Sequence, residues 1–327
     1  MPTFKLLQQL FRDALQNEVH EIERSTPVNL YHPISYTLQM GGKRLRPALL
    51  LMGCDLFNGN LDKALPAAIG IEIFHNFTLL HDDIMDHASL RRNKQTVHLK
   101  YNENRAILSG DAMSIMAYQY LQKCPPDVLP KIIDIFTQTA MEVCEGQQYD
   151  MDFETSEDVT VDDYLEMIRL KTAVLLAGSL KIGAVIGGAS AKDADHLYQF
   201  GIYLGLAFQL QDDLLDVYAN EKLFGKKTGG DIAANKKTFL LIKTLELAGE
   251  KNRTLLKEWL SRKKFDVNEK TEAVRNIYDL TGIRKLSEQL MNTYYQKSID
   301  EITEIQSNRN NKNELISLSR QLIHRRY

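Results

Sequence analysis

Two short stretches carry more acid than a solvated surface requires. Residues 81–86 read HDDIMD and residues 211–216 read QDDLLD, each at the end of a long apolar run. In the first, spacings of 3, 4 and 4 put His75, Thr78, Asp82 and Asp86 along one helical face. Asp82 and Asp86, one turn apart, repel each other and lose hydration when buried, so they require a cation between them or open water. The second stretch repeats the arrangement with Asp212 and Asp216, and Gln209 lies one turn earlier. A lone DDxxD is as easily a solvated helix end, but two in one chain are improbable by chance. Carboxylate-only ligands select Mg²⁺ or Mn²⁺ over zinc, and Mg²⁺ held by few carboxylates completes its shell with water and phosphate oxygens. The expected substrate is therefore phosphorylated.

Cations follow each acid motif or precede it. Gly41-Gly42-Lys43-Arg44-Leu45-Arg46-Pro47 sets three positive side chains beside two glycines, and Arg91-Arg92 comes one short loop after the first motif. After the second, Lys226-Lys227 and Lys236-Lys237 bracket Gly229-Gly230-Asp231. A single basic cluster is ordinarily a solvated face. Clusters next to both acid motifs fit a diphosphate, which needs metal bridging together with direct Arg or Lys hydrogen bonds.

The elements that must position these residues are helical. All eight prolines lie at or before Pro130, and proline costs about 3 kcal/mol inside a helix, so the second half reads as almost wholly helical. Apolar patterns of period 3.6 run through Phe4–Ile22, Ala67–Met85, Ile132–Cys144, Val161–Gly178, Ala194–Val217, Thr238–Leu247 and Ile299–Ile305. No alternating strand pattern competes with them. Loops are expected at Thr26–Pro33, Cys124–Pro126, Asp150–Thr160 and Gly225–Gly230. With 327 residues, 44% of them hydrophobic, the chain buries a large core, and no linker divides it: the expectation is one all-α domain over residues 1–327.

Composition excludes several classes of function. A net charge of −3 argues against coating nucleic acid by bulk charge. Cys54, Cys124 and Cys144 show no disulfide, zinc or redox spacing, which fits a reducing cytoplasm. The amphipathic start is not a secretory signal, and the most apolar stretch, Val174–Ala189, is interrupted by Ser179, Lys181 and glycines, so no transmembrane segment is expected.

In order along the chain stand GGKRLRP, HDDIMDHASLRR, GDAM at Gly110–Met113, Lys171-Thr172, FQLQDDLLD and KTGGDI at Lys227–Ile232. From Gly41 to Lys237 this series resembles the trans-isoprenyl diphosphate synthases, the polyprenyl synthetase family. The resemblance implies a helical bundle of the isoprenoid synthase type with a central cavity, working as a homodimer. It implies head-to-tail condensation of isopentenyl diphosphate with an allylic diphosphate (dimethylallyl, geranyl or farnesyl). Asp82 and Asp86 would hold two Mg²⁺ ions on the allylic diphosphate and Asp212 a third, Mn²⁺ being able to substitute, with Asp83, Asp213 and Asp216 as supporting acids. Arg91, Lys171 and Lys227 would contact that diphosphate, and Lys236 also belongs to the substrate-binding cations. Isopentenyl diphosphate would rest on Lys43, Arg46, His75 and Arg92. Thr172, Gln209 and the Lys171 carbonyl would face the allylic cation with oxygen dipoles. The basic end, His324–Tyr327, resembles tails that close over isopentenyl diphosphate.

One departure stands out. Where the family has Gly after the two arginines and Pro before the Thr, this chain has Asn93 and Gln95; Asn is the best substitute for Gly in a left-handed turn, so the loop is expected to be kept. Product length is read four and five residues before Asp82. Thr78 and Phe77 there resemble makers of geranylgeranyl diphosphate, with farnesyl diphosphate second and Phe74 as the next stop. A terpene cyclase would need a different second metal motif where this chain has Asp216 and Asn220, and a non-catalytic regulatory subunit would have lost the acids.

Overall fold

The structure, a computed structural model, describes residues 2–219, 228–307 and 309–323. Helices account for most of it. The described residues fall into two compact units: one within Met1–Thr137, Gly178–Tyr198 and Ile305–Leu315, the other within Gln138–Ala177, Gln199–Glu304 and Ile316–Tyr327.

In the first unit, α1 (Phe4–Arg24) starts where the Thr3 hydroxyl accepts the Leu6 N–H, and it buries Leu7, Phe11, Leu15, Val19 and Ile22 at near-turn spacing. Then come α2 (Val28–Leu38), α3 (Leu45–Leu56) and α4 (Leu61–Met85). The α4 run is buried nearly all round between Ala67 and Phe74, which makes it the core helix, packed on α3 and on α6 (Glu103–Leu121). Between them lie the two-residue strands β1 (Leu90–Arg91) and β2 (Lys94–Gln95) and the short α5 (Val97–Lys100).

Three long helices follow: α7 (Leu129–Thr155), α9 (Val174–Ile186) and α10 (Ala191–Tyr218). Before α9, α8 (Val161–Ile168) opens on a Thr160–Asp163 capping box and runs into a π-helical turn, Arg169–Ala173. The second unit ends with α11 (Gly230–Ala233), α12 (Phe239–Leu247), α13 (Glu250–Ser261), α14 (Val267–Thr281) and α15 (Ile283–Glu304). Here α14 touches α11, α12, α13 and α15. The last helix, α16, spans Arg309–Ile323. No helix among the described residues is long and apolar enough to cross a membrane.

Two expectations are corrected. The loop expected over Thr26–Pro33 is confined to the break before Val28, from which α2 begins, with Pro33 inside the helix. The bond lost to Pro33 is offset by burial of Pro33, Ile34 and Leu38 and by the Thr37 hydroxyl donating to the Pro33 carbonyl at 2.8 Å. The acid-rich Asp150–Thr160 stretch is helical as far as Thr155.

Candidate active site

The first acid motif sits on the last turn of α4, and Asp86 is its C-cap. This is the negative end of the helix dipole, the least favourable place for three carboxylates unless cations face them. One such cation is Arg91, whose guanidinium lies 2.6 Å from Asp83 Oδ1 and 3.2 Å from Asp82 Oδ2. Asp83 is buried at 3% exposure; burial raises its pKa and Arg91 opposes that rise. Asp83 is thus the anchor for Arg91, while Asp82 is half-buried and Asp86 exposed.

Arg91 is delivered by the β1–β2 hairpin, whose loop residues Arg92 and Asn93 are both left-handed, with φ of 52° and 61°. Two positive φ values in a two-residue loop make the tight turn that matches strand twist, so Asn93 does serve in place of Gly. Tyr36 Oη donates to the Gln95 carbonyl at 2.8 Å and fastens the hairpin to α2. Arg92 reaches back to donate to the Gly41 carbonyl, and a Cβ on Gly42, at φ +120°, would lie 2.6 Å from the Arg92 Cζ. The positive φ favours glycine there, and any other residue would also have to displace the Arg92 guanidinium.

Arg46, at the start of α3, meets His75 of α4, with Nη1 3.1 Å from Nε2. Burial first, and then Arg46, Arg92, Arg44 and Arg91, hold the His75 pKa well below the usual imidazole value. The ring is neutral, and its Nε2 accepts from Arg46. Burial lowers the Arg46 pKa to about 10, which leaves it charged. Lys43 is exposed. The third cation of that cluster, Arg44, is left-handed and buried; it donates to Glu72 and to the Leu38 carbonyl, and so it shapes the loop. Further back on α4, Phe77 and Thr78 are half-buried, and the Phe77 ring is 5.5 Å from Phe74, which in turn is 5.1 Å from Phe136.

The second acid motif lies on the last turns of α10, again at a C-terminal end. Asp213 is buried at 4%; Tyr164 Oη donates to its Oδ2 at 2.6 Å and Gln209 Nε2 to its Oδ1 at 2.9 Å. The Gln209 Oε1 accepts from the Thr172 hydroxyl at 3.2 Å. A continuous chain of bonds thereby ties the π turn to the acid helix. Lys171, also in the π turn, pairs with Asp150 at 2.5 Å. Gly146 lets α7 press on this turn, where a Cβ would overlap Lys171 N. Irregular turns of this kind are common at functional sites. Asp216 Oδ2 accepts the Asp231 N–H at 3.0 Å, which brings Asp231 into the same cluster. A cavity of about 130 Å³ is lined by Asp150, Lys171, Thr172, Asp213, Asp231 and Lys236, among others.

Burial and then the charge of Asp231 push Asp213 up to about 8; burial and then Asp216 push Asp231 up to about 6, against the pull of Lys236. The donor set is all oxygen, and among the described residues no three His, Cys, Asp or Glu side chains form a ready-made cage. The oxygen donors fit Mg²⁺, which shares its ligands among a few carboxylates, waters and phosphate oxygens. Lys227 and the His324–Tyr327 tail lie outside the described residues.

Four contributors escaped the sequence reading. Glu72 did leave a signal, being a lone acid in the apolar run IGIEIF that needed a buried partner, and so did Asp231, set between two glycines and a lysine pair. Asp150 and Tyr164 left none, because each meets its partner from a different helix.

The polyprenyl synthetase family model matches residues 27–277. A geranylgeranyl diphosphate synthase of Methanosarcina mazei is 44% identical over 237 residues, 72% of each chain. Another, from Sulfolobus acidocaldarius, is 39% identical over 305 residues, 90% of this chain and 91% of that one. A crystal structure of a geranylgeranyl pyrophosphate synthase superposes with a TM-score of 0.93 at 44% identity, covering 100% of both chains. Acid motifs, basic loops and matches of this extent agree, and the chain belongs to the polyprenyl synthetase family. It is an all-α prenyltransferase.

Proposed function

We propose that this chain condenses isopentenyl diphosphate head-to-tail with dimethylallyl, geranyl and farnesyl diphosphates and releases all-trans geranylgeranyl diphosphate. The full-length likeness to a solved geranylgeranyl pyrophosphate synthase carries this reading. The half-buried Phe77 floor beneath Thr78 supports the same length. Residues 1–327 act as one synthase domain, since the family match covers parts of both units.

Asp82, Asp86 and Asp212 are the proposed Mg²⁺ ligands, with Asp83, Asp213 and Asp216 in support. Mg²⁺ supplies electrostatic stabilisation of the diphosphate as it departs. Arg91, Lys171 and Lys236 add hydrogen bonds to the growing charge, a preorganised contribution that is usually the largest in such chemistry. Lys43, Arg46, Arg92 and the neutral His75 hold isopentenyl diphosphate without metal, so the two substrates have separate anchors. Thr172 and Gln209 present oxygen to the allylic cation but no nucleophile able to trap it. The proton lost in forming the new double bond goes to the released diphosphate.

A second copy of this chain is the proposed partner of the α6 face, where Leu108 and Ile115 stand 60% and 63% exposed. The unpaired cysteines support a cytoplasmic setting. Chromatography of products from each allylic primer with isopentenyl diphosphate and Mg²⁺ tests the reading. A C20 diphosphate is expected; a hydrocarbon, or no product, rejects it.

A further inference from the structure

Lys270, on α14, is wholly buried, and its partners among the described residues are a carbonyl and an amide oxygen, with no carboxylate. Its Nζ donates to Asn235 Oδ1 at 2.6 Å and to the Ala233 carbonyl at 3.2 Å, and it stands 4.1 Å from the Phe265 ring. A buried ammonium is costly, and an apolar side chain of the same length would fill the space, so the charge must do something a methyl group cannot. What it does is hold both sides of one turn. Ala233 ends α11, and Asn235, at φ 55°, is the left-handed residue that turns the chain away from it. The Asn235 Nδ2 is also occupied, donating to the Leu260 carbonyl at 2.9 Å.

The start of α11 is held from the same helix. Gly229, at φ +84°, lies so close to Thr271 that a Cβ would overlap its side chain, and the Gly229 N–H donates to the Asp216 carbonyl at 2.6 Å. Thr271 and Lys270 therefore hold the two ends of a loop that carries Asp231 between them and leads directly from Asn235 into Lys236. Within it, the Lys236 N–H donates to the Asp231 carbonyl at 2.9 Å.

We propose that Lys270 is a positioning residue of the second acid site: through Asn235 and the Ala233 carbonyl it fixes the loop that presents Asp231 and Lys236 to Mg²⁺ and diphosphate. The inference rests on the proposed function for the identity of those ligands. It adds α14, outside every motif, to the residues that set the site.

The test uses the full chain as wild type, Lys270→Met and Asn235→Gly. The glycine keeps the left-handed turn and removes the whole Asn235 side chain, the acceptor for Lys270 together with the bond to the Leu260 carbonyl. Hydrogen exchange of the amides of residues 230–237 should rise in both variants while the rest of α14 stays protected. Inorganic pyrophosphate titrated calorimetrically in excess Mg²⁺ should bind about tenfold more weakly, the scale of lost outer-shell support, with the Michaelis constant for isopentenyl diphosphate moving less than about twofold. Asn235→Gly keeps the proposal falsifiable should Lys270→Met fail to fold. Unchanged exchange, unchanged pyrophosphate affinity, or an equal loss for isopentenyl diphosphate in a folded variant overturns the positioning role. A wild type that binds no pyrophosphate with Mg²⁺ overturns the proposed function and this inference with it, and it does so before any variant is compared.

Discussion

The Tyr164 hydroxyl lies 2.6 Å from Asp213 Oδ2, and neither residue is more than 4% exposed. A phenol donating to a buried carboxylate offsets part of the cost of charging it, and it fixes which way the acid helix presents its neighbours. Tyr164→Phe removes the donor and leaves the oxygen dry. The expected loss is about 1–3 kcal/mol in urea unfolding, with turnover down by roughly tenfold through misplaced acids. Unfolding free energies that coincide for variant and parent would contradict this role.

Asp82→Ala and Asp212→Ala each remove a proposed Mg²⁺ ligand while leaving neighbouring carboxylates crowded at a helix C-terminus. Turnover should fall by several orders of magnitude, and chelation of the parent should abolish activity reversibly. Near-normal turnover in either variant, shown folded by circular dichroism, rejects the ligand assignment.

Lys43→Ala and Arg46→Ala should raise the Michaelis constant for isopentenyl diphosphate far more than that for the allylic substrate. Each lost charged contact is worth about 1.5–3 kcal/mol. Arg46 should show the larger effect, since its guanidinium is already held against His75 whereas Lys43 stands in solvent. Steady-state kinetics with each substrate varied in turn decides it; parallel increases argue for a common anchor.

Phe77→Ala should lengthen the product by about one isoprene unit or more, because one helical turn spans about 5.4 Å. Growth should stop at Phe74, which is backed by Phe136 at 5.1 Å. Chromatography of the variant's products beside the parent's is the measurement. An unaltered length removes Phe77 as the floor, and a parent product of C30 or longer removes the short-chain assignment.

The neutral His75 makes stability depend on pH in a definite direction. The unfolded chain takes up a proton near pH 6.5 and the folded chain does not, so the unfolded state binds more protons below that pH. The stability tied to His75 is fully present above about pH 6.5 and drains away as the pH falls below it. His75→Asn should flatten the acid-side slope of urea stability between about pH 6.5 and 5. A variant with the parent's slope would mean that the imidazole is charged in the folded protein.

The all-α class, the family and the two acid motifs were legible in the residues themselves, because helix periodicity and i,i+4 acid spacing are local properties of the chain. Asn93 in its left-handed turn belongs with them, since a two-residue loop depends on its own φ values. The role of each acid within a motif depended on the tertiary structure. Asp83 and Asp213 look no different from Asp82 and Asp212 in sequence, and only the fold gives them Arg91 and Tyr164 as donors. Pro33 inside α2 was likewise out of reach, because what offsets the missing hydrogen bond is burial against other helices. The grip of Lys270 on Asn235, 35 positions away in the chain, required α14 to be in place: a lysine announces a charge, and only packing decides that this one is buried and holds a turn.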